Sequence, residues 1–174
     1  MKEQFNKQAR QVRYKQYLEY ERNKYFDTRY QYKQFIIDQN HSVLLTLKFD
    51  FNTLNKLTLD RMTRTLREFD SRLNRKLLGP KWSKKTGQHV QWDAFAEKID
   101  MHGHWHLLAK VELIKIGRFV VVAQEAWQSL LGVDKSDKGF KADVIYNIYG
   151  LAHYVTKEFK DSHVNSGNFK SWQN

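Results

Sequence analysis

The sequence predicts an α+β chain built on an antiparallel sheet, and three observations predict it. Short apolar runs bounded by polar residues alternate with longer stretches whose apolar residues return every third or fourth position. Two strand candidates in the middle of the chain follow each other across a short turn, the mark of an antiparallel hairpin rather than a parallel crossover. With one Pro and 8 Gly in 174 residues, no stretch reads as a long flexible linker, so one core with an added arm accounts for the length.

Residues 1–40 hold six of the 9 tyrosines, Tyr14, Tyr17, Tyr20, Tyr25, Tyr30 and Tyr32, interleaved with Lys and Arg and without Gly or Pro. One or two helices with a solvated basic face are expected there, either packing their aromatics on the main domain or presenting them to nucleic acid. Ser42–Phe49 (SVLLTLKF) reads as a buried first strand, followed by a loop over Asn52–Asn55. Leu59, Met62, Leu66, Phe69, Leu73 and Leu77 form one apolar stripe on a helix, with Arg61, Arg64, Arg67, Arg72 and Arg75 off it. Gly79 and Pro80 should end that helix, since Gly suits the position after it and Pro cannot continue it. Residues 81–87 are basic and turn-like, suited to touching phosphates.

His89–Ile99 and His104–Ile116 read as the hairpin strands, with the turn around Asp100–Gly103. Arg118–Leu131 is a second helix ending at Gly132, Lys141–Tyr146 a short fourth strand, and Ile148–Lys160 a third helix. From Asp161 the chain is polar and expected to fray. The order β-α-β-β-α-β, with a helix before and after, is the split β-α-β or ferredoxin-like arrangement: an antiparallel sheet with helices on one face and the other face open for a site. The expected organisation is a helical extension over 1–40, a main domain over 41–162, and a polar tail over 163–174.

The formal net charge of +11 attracts polyanions, and aromatics among the cations suit bases as well as phosphates, so nucleic acid is the expected partner. The absence of Cys excludes disulfides, zinc–cysteine sites and thiol nucleophiles. The charged N-terminus lacks the apolar core of a signal peptide, and the longest apolar run, Phe119–Ala123, is far too short to span a bilayer. A cytoplasmic protein without a membrane partner is expected.

On a strand, His104 and His106 share one face while Trp105 and Leu107 point to the core. His-x-His alone is better explained as surface histidines on a half-exposed strand, and the strand context and a nearby carboxylate are what shift the balance. Glu97, on the preceding strand, joins them on the same face if the turn holds an even number of residues, and lies on the wrong face if it is odd. Such a His-His-Glu set suits Mg²⁺ or Mn²⁺ working on phosphate, with Zn²⁺ also able to bind. His102 has the same spacing to His104 and is the alternative ligand, but Gly103 brings no core-facing side chain and fits the turn better.

On the last helix, Ile148, Leu151, Ala152, Val155 and Phe159 form the stripe. At about 100° per residue, Tyr154 lies roughly 120° from its centre and Lys157 opposite it, the two being surface neighbours. A tyrosine in that position is either a rim aromatic or a nucleophile whose phenolate a metal and a lysine can stabilise. His153 is adjacent but points elsewhere and is given no role.

Together these pieces resemble the HUH endonuclease superfamily in its replication-initiator (Rep) branch. Leu44–Asp50 (LLTLKFD) is similar to the first motif on the opening strand, His104-Trp105-His106 to the His-hydrophobic-His motif, and Tyr154–Lys157 (YVTK) to the Tyr-x-x-Lys motif. Arg72–Gly79 (RLNRKLLG) also looks like the region before the histidine strand in bacterial and mobile-element members. The resemblance spans Ser42–Lys160, and the tyrosine following the histidines matches the initiator order. Some members carry a second tyrosine one turn away; here Gly150 and Glu158 stand at those positions, which implies single-tyrosine chemistry.

The resemblance implies that Glu97, His104 and His106 hold a divalent metal ion, Mg²⁺ or Mn²⁺. It implies that Tyr154 attacks single-stranded or unwound origin DNA to give a 5′-phosphotyrosine link, and that Lys157 steadies the developing charge. Such nicking and joining initiates rolling-circle replication of a plasmid, virus or mobile element, with host replication proteins as further partners. A transposase of the same superfamily is the nearest alternative. A non-catalytic nucleic-acid-binding domain on a ferredoxin-like sheet is the alternative of another class.

Overall fold

The computed structural model describes residues 2–49, 58–85, 87–98, 103–131, 139–157 and 169–172. The elements run α1 (Lys2–Asp38), β1 (Val43–Lys48), α2 (Leu59–Leu78), β2 (Gln91–Glu97), β3 (His104–Lys110), α3 (Ile116–Leu131), β4 (Phe140–Val144), α4 (Ile148–Val155) and β5 (Phe169–Trp172). The sheet order is β4-β1-β3-β2-β5, and every pairing is antiparallel. Its first four strands are in the ferredoxin-like order, so the α+β fold class expected from the sequence is the one observed.

One sheet face is a closed apolar layer. Val43, Leu45 and Leu47 of β1, Trp92, Ala94 and Ala96 of β2, and Trp105, Leu107 and Ala109 of β3 are buried against the stripes of α2 and α3. Met62, Leu66, Phe69 and Leu73 of α2 are fully buried, as their three-and-four spacing requires, while Arg61, Arg64, Arg67 and Arg75 are exposed. Trp127 of α3 meets Phe49 and Phe69 edge-on, at centroid distances of 5.3 and 5.8 Å.

The ends of α2 follow from local chemistry. The Thr58 side chain accepts a hydrogen bond from the Arg61 N–H at 3.2 Å, and Gly79 closes the helix at φ 87°, a left-handed value that favours glycine. A buried polar network then ties α2 to β2. The Trp92 indole N–H donates to Asp70 Oδ1 at 2.8 Å, the Asn74 amide donates to the same oxygen at 3.0 Å, and the Val90 N–H donates to Asn74 Oδ1 at 3.1 Å. Burial raises the Asp70 carboxyl above its ordinary pKa, against these donors, which pull it down.

The other face differs from the expectation of an open surface. Its far part is covered by the C-terminal end of α1 and by α4, which pack Ile36, Ala152 and Val155 on Phe95 and Leu108. Arg29 donates to the His153 carbonyl (3.4 Å) and to Thr156 Oγ1 (3.5 Å), and the Lys33 ammonium lies 3.2 Å from His153 Nδ1. His153, given no role from sequence, thus fastens α1 to α4. His41, just past α1, makes a fully buried 2.8 Å contact with Asp93 of β2. Among the described side chains of α1, Tyr14, Tyr17, Tyr20 and Tyr30 are exposed, and Tyr32 is partly buried against this second core.

Further differences concern element ends. The third strand stops at Lys110, and Leu113–Lys115 form a 3₁₀ turn leading into α3, where the sequence reading continues a strand to Ile116. In the tail expected to fray, Phe169–Trp172 instead pairs with Trp92–Phe95 of β2, giving the sheet a fifth strand. Four residues are too short to announce themselves by period. The loop at 52–55, His102, Gly132, and residues 158–168 with Glu158 and Phe159 lie outside the described residues.

The α2–β2 network is testable. Asp70→Ala removes the acceptor of the buried Trp92 N–H and should lower unfolding free energy by about 1–3 kcal/mol, the cost of a buried unsatisfied donor. Urea denaturation measures it, and a loss near zero would contradict the network.

Candidate metal centre and tyrosine

The hairpin register decides the site. Six residues, 98–103, separate the two strands, and Glu97 pairs directly with His104. The count is even, so the carboxylate falls on the histidine face. Two cross-strand rows result: Lys48–His104–Glu97, and Lys141–Thr46–His106–Phe95. Directly opposed residues share a face. The row pattern therefore adds Thr46, Lys48 and Lys141 to the site face.

Glu97, His104 and His106 are buried and 4, 8 and 3% exposed, and their ligand atoms all lie within 4.8 Å of one another. Glu97 Oε2 is 2.8 Å from His106 Nε2 and 3.4 Å from His104 Nε2, and the two Nε2 atoms are 3.2 Å apart. Three atoms that carry lone pairs converge on one point. Nitrogen and oxygen donors without thiolate, held this close in a buried setting, fit a divalent cation, so this group can hold a metal ion. On the far edge of the imidazole, His106 Nδ1 lies 3.3 Å from Thr46 Oγ1. In the metal-free chain Nε2 carries the proton and donates to Glu97 Oε2; a proton shifted to Nδ1 and donated to the Thr46 hydroxyl would free the Nε2 lone pair for a metal ion.

Tyr154 and Lys157 complete the cluster. The Asn147 side chain caps α4 by accepting from the Gly150 N–H at 3.0 Å. The stripe of Ile148, Leu151, Ala152 and Val155 then sits on the second core, which turns Tyr154 towards the histidine strand. The helix is shorter than expected, ending at Val155 with Thr156 and Lys157 in a turn closed by Lys157 N–H to the Tyr154 carbonyl, 3.1 Å. The Tyr154 ring lies 5.3 Å from that of His106 at 69°, and remains 43% exposed. Lys157 Nζ lies 3.9 Å from the Tyr154 ring centroid and 2.8 Å from Glu97 Oε1. The two oxygens of Glu97 therefore serve different partners, Oε2 the imidazoles and Oε1 the ammonium. All five residues singled out from the sequence come together.

The electrostatics follow from burial and these contacts. Burial works to raise the Glu97 carboxyl, but Lys157 and His106 outweigh it and hold the pKa below the ordinary value. Burial pushes the His106 imidazolium down to about 4, helped by His104 and Lys157 and opposed by Glu97. Burial alone would lower Lys157, yet Glu97 beside it carries the value upward. Near neutral pH, then, Glu97 is a carboxylate, His106 a neutral imidazole with a lone pair to give, and Lys157 a cation.

No family model matches this chain, and no curated protein or solved structure gives a significant match. The geometry is the basis for the functional reading. Thr46, Lys48 and Lys141 were beyond sequence reasoning, because nothing local states which residue of β1 lies beside which histidine. The period-2 face of β1 is the one signal that could have suggested them.

Two outcomes check the site. The chain should bind one divalent ion, read by calorimetry with Mn²⁺, and Glu97→Gln or His106→Ala should abolish it; undiminished binding in either variant contradicts the triad. In metal-free protein the unfolded chain takes up a proton at His106 near pH 6.5, before the folded chain does near 4. Stability is therefore full above about pH 6.5 and falls as pH drops towards 4. His106→Gln should flatten that slope in denaturation curves across the window; an unchanged slope contradicts the burial of a neutral imidazole.

Proposed function

We propose that this protein nicks and rejoins single-stranded DNA through a covalent tyrosine link, as the HUH replication initiators that its motifs resemble do. The observation that carries the reading is the docking of Tyr154 and Lys157, from the last helix, against His106 and Glu97 of the hairpin. A metal site needs no tyrosine beside it, and a rim tyrosine needs no buried carboxylate and lysine beneath it.

Glu97, His104 and His106 would hold the ion, with Mg²⁺ or Mn²⁺ suited to the donor set. A divalent ion bound there supplies positive charge to polarise a phosphodiester. Tyr154 Oη forms the bond to phosphorus as it gives up its proton, and the bond from phosphorus to the 3′ oxygen breaks. That oxygen leaves as a hydroxyl, and the 5′-phosphate stays on the tyrosine. Attack by another 3′-hydroxyl reverses the sequence and joins strands. Lys157, anchored on Glu97, places its charge against the Tyr154 ring, where it favours the phenolate. Lys48 and Lys141, on the same sheet face, are suited to the neighbouring phosphates.

One tyrosine at the site suits a single-tyrosine cycle, in an initiator of rolling-circle replication or in a transposase of a mobile element. Origin DNA and host replication proteins are the partners of the first role, in the cytoplasm. Among the described residues no helix is long and apolar enough to cross a membrane. A non-catalytic nucleic-acid binder is the second reading, favoured by the exposed Tyr14, Tyr17 and Tyr20 beside exposed Arg13 and Lys15.

Tyr154→Phe separates the two. Incubated with single-stranded oligonucleotides from its replicon's origin and Mn²⁺, the wild-type chain should form an adduct that survives denaturing electrophoresis. The variant should form none, while binding the DNA within about 2- to 3-fold of wild type, the scale of a lost single contact. An adduct in the variant sinks the nucleophile assignment, and cleavage indifferent to a chelator sinks the metal's part in it. Binding should also weaken steeply with salt, with a log–log slope set by the number of phosphates contacted.

A further inference from the structure

Tyr154 faces more than the histidines. It also borders a groove of about 390 Å³ where β1, β4 and the start of α4 meet. Leu44, Ile145 and Leu151 form apolar walls, and Asp143 and Asn147 supply the polar groups. Tyr146, at the groove's edge, is 92% exposed. The groove is shaped by α4's own cap. Asn147 folds back over Gly150, where a Cβ would stand 3.1 Å from Asn147 Nδ2, so the first turn keeps a low profile.

We propose that this groove is a base-binding subsite: it receives one unstacked nucleobase of the DNA strand whose phosphate lies at Tyr154, and it favours a base carrying an exocyclic amino group. The proposal rests on the strand-nicking reading above and adds to it the place and preference of one flanking nucleotide.

Four features argue for a base. The groove and the metal centre are continuous through one side chain, since Tyr154 lines the first and packs on His106 of the second. A nucleotide seated in the groove is therefore a neighbour of the scissile position. Mostly apolar walls with a few fixed polar groups are how proteins seat flat heterocycles. Tyr146, 92% exposed, offers an aromatic face that no packing among the described residues uses, and a base stacks on such a face whatever its sequence. Finally, Asp143 sits on the site face in register with Leu44, and its carboxylate can accept from the amino group of cytosine, adenine or guanine but finds no such donor on thymine. Lys141, 2.8 Å from Asp143, brings a cation to the same rim for the backbone of that nucleotide.

The test uses the full chain and fluorescein-labelled oligo-dC, oligo-dA and oligo-dT at low salt, read by anisotropy, with circular dichroism to verify folding. The parent should bind oligo-dC and oligo-dA more tightly than oligo-dT. Tyr146→Ala, at a position too exposed to matter to the fold, should weaken all three by about 10-fold, within the range of one lost base–aromatic stack. Asp143→Asn should erase the disadvantage of oligo-dT. If Tyr146→Ala binds as the parent does, or the parent binds oligo-dT as tightly as oligo-dC, the subsite is overturned. Where that happens while the parent still forms the Tyr154 adduct, the nicking reading stands and only the subsite falls. A parent that binds none of the three oligonucleotides overturns both.

Discussion

The buried carboxylate of Glu97 is the interaction on which the site depends. A carboxylate removed from water is costly unless charge and hydrogen bonds compensate it, and here they come from two separate pieces of chain. His104 and His106 come from the facing strand, and Lys157 comes from the turn after α4. The compensation works in both directions. Lys157 and His106 hold Glu97 ionised despite its burial, and Glu97 holds Lys157 charged despite its own. The same carboxylate therefore fixes the helix bearing Tyr154 at the height of the histidines, which places a candidate nucleophile beside a candidate metal centre.

The two faces of the sheet divide the work. The α2/α3 face is apolar and closed, with Trp92, Trp105 and Trp127 among its largest buried side chains; the Trp92 indole is partnered through Asp70 and Asn74, and the Trp105 indole donates to the Met62 carbonyl. That layer supplies a rigid floor, which a site demanding sub-ångström placement needs. The second face is built for position. Its smaller core of Ile36, Phe95, Leu108, Ala152 and Val155 occupies one part of the sheet, and the buried His104 and His106 lie outside it beside the partly exposed Tyr154 ring. The end of α1 serves there as a clamp on α4, through Arg29 and Lys33 against His153 and Thr156. The N-terminal extension thus contributes to where Tyr154 stands, whatever its exposed tyrosines contact.

The sequence by itself determined the elements that carry a strong period. The α2 stripe and its Gly79 stop, the His104–Trp105–His106 alternation and the hairpin could all be read because helix and strand periods are local properties of the chain. So was the placing of Tyr154 off the apolar stripe of α4. These sufficed to name Glu97, His104, His106, Tyr154 and Lys157, although the Glu97 assignment hung on whether the turn was even or odd.

Tertiary structure alone decided the rest. The six-residue separation of β2 and β3 set the parity, and the pairing of β1 with β3 and β4 brought Thr46, Lys48 and Lys141 to the site. Register between distant strands is set by packing and connection geometry, which no single segment encodes. Phe169–Trp172 became a strand because the edge of β2 offered its backbone hydrogen bonds, a partner that four residues of sequence cannot reveal. The covering of the second face by α1 and α4 is likewise a matter of long-range contact, made where Phe95 and Leu108 leave apolar surface to bury.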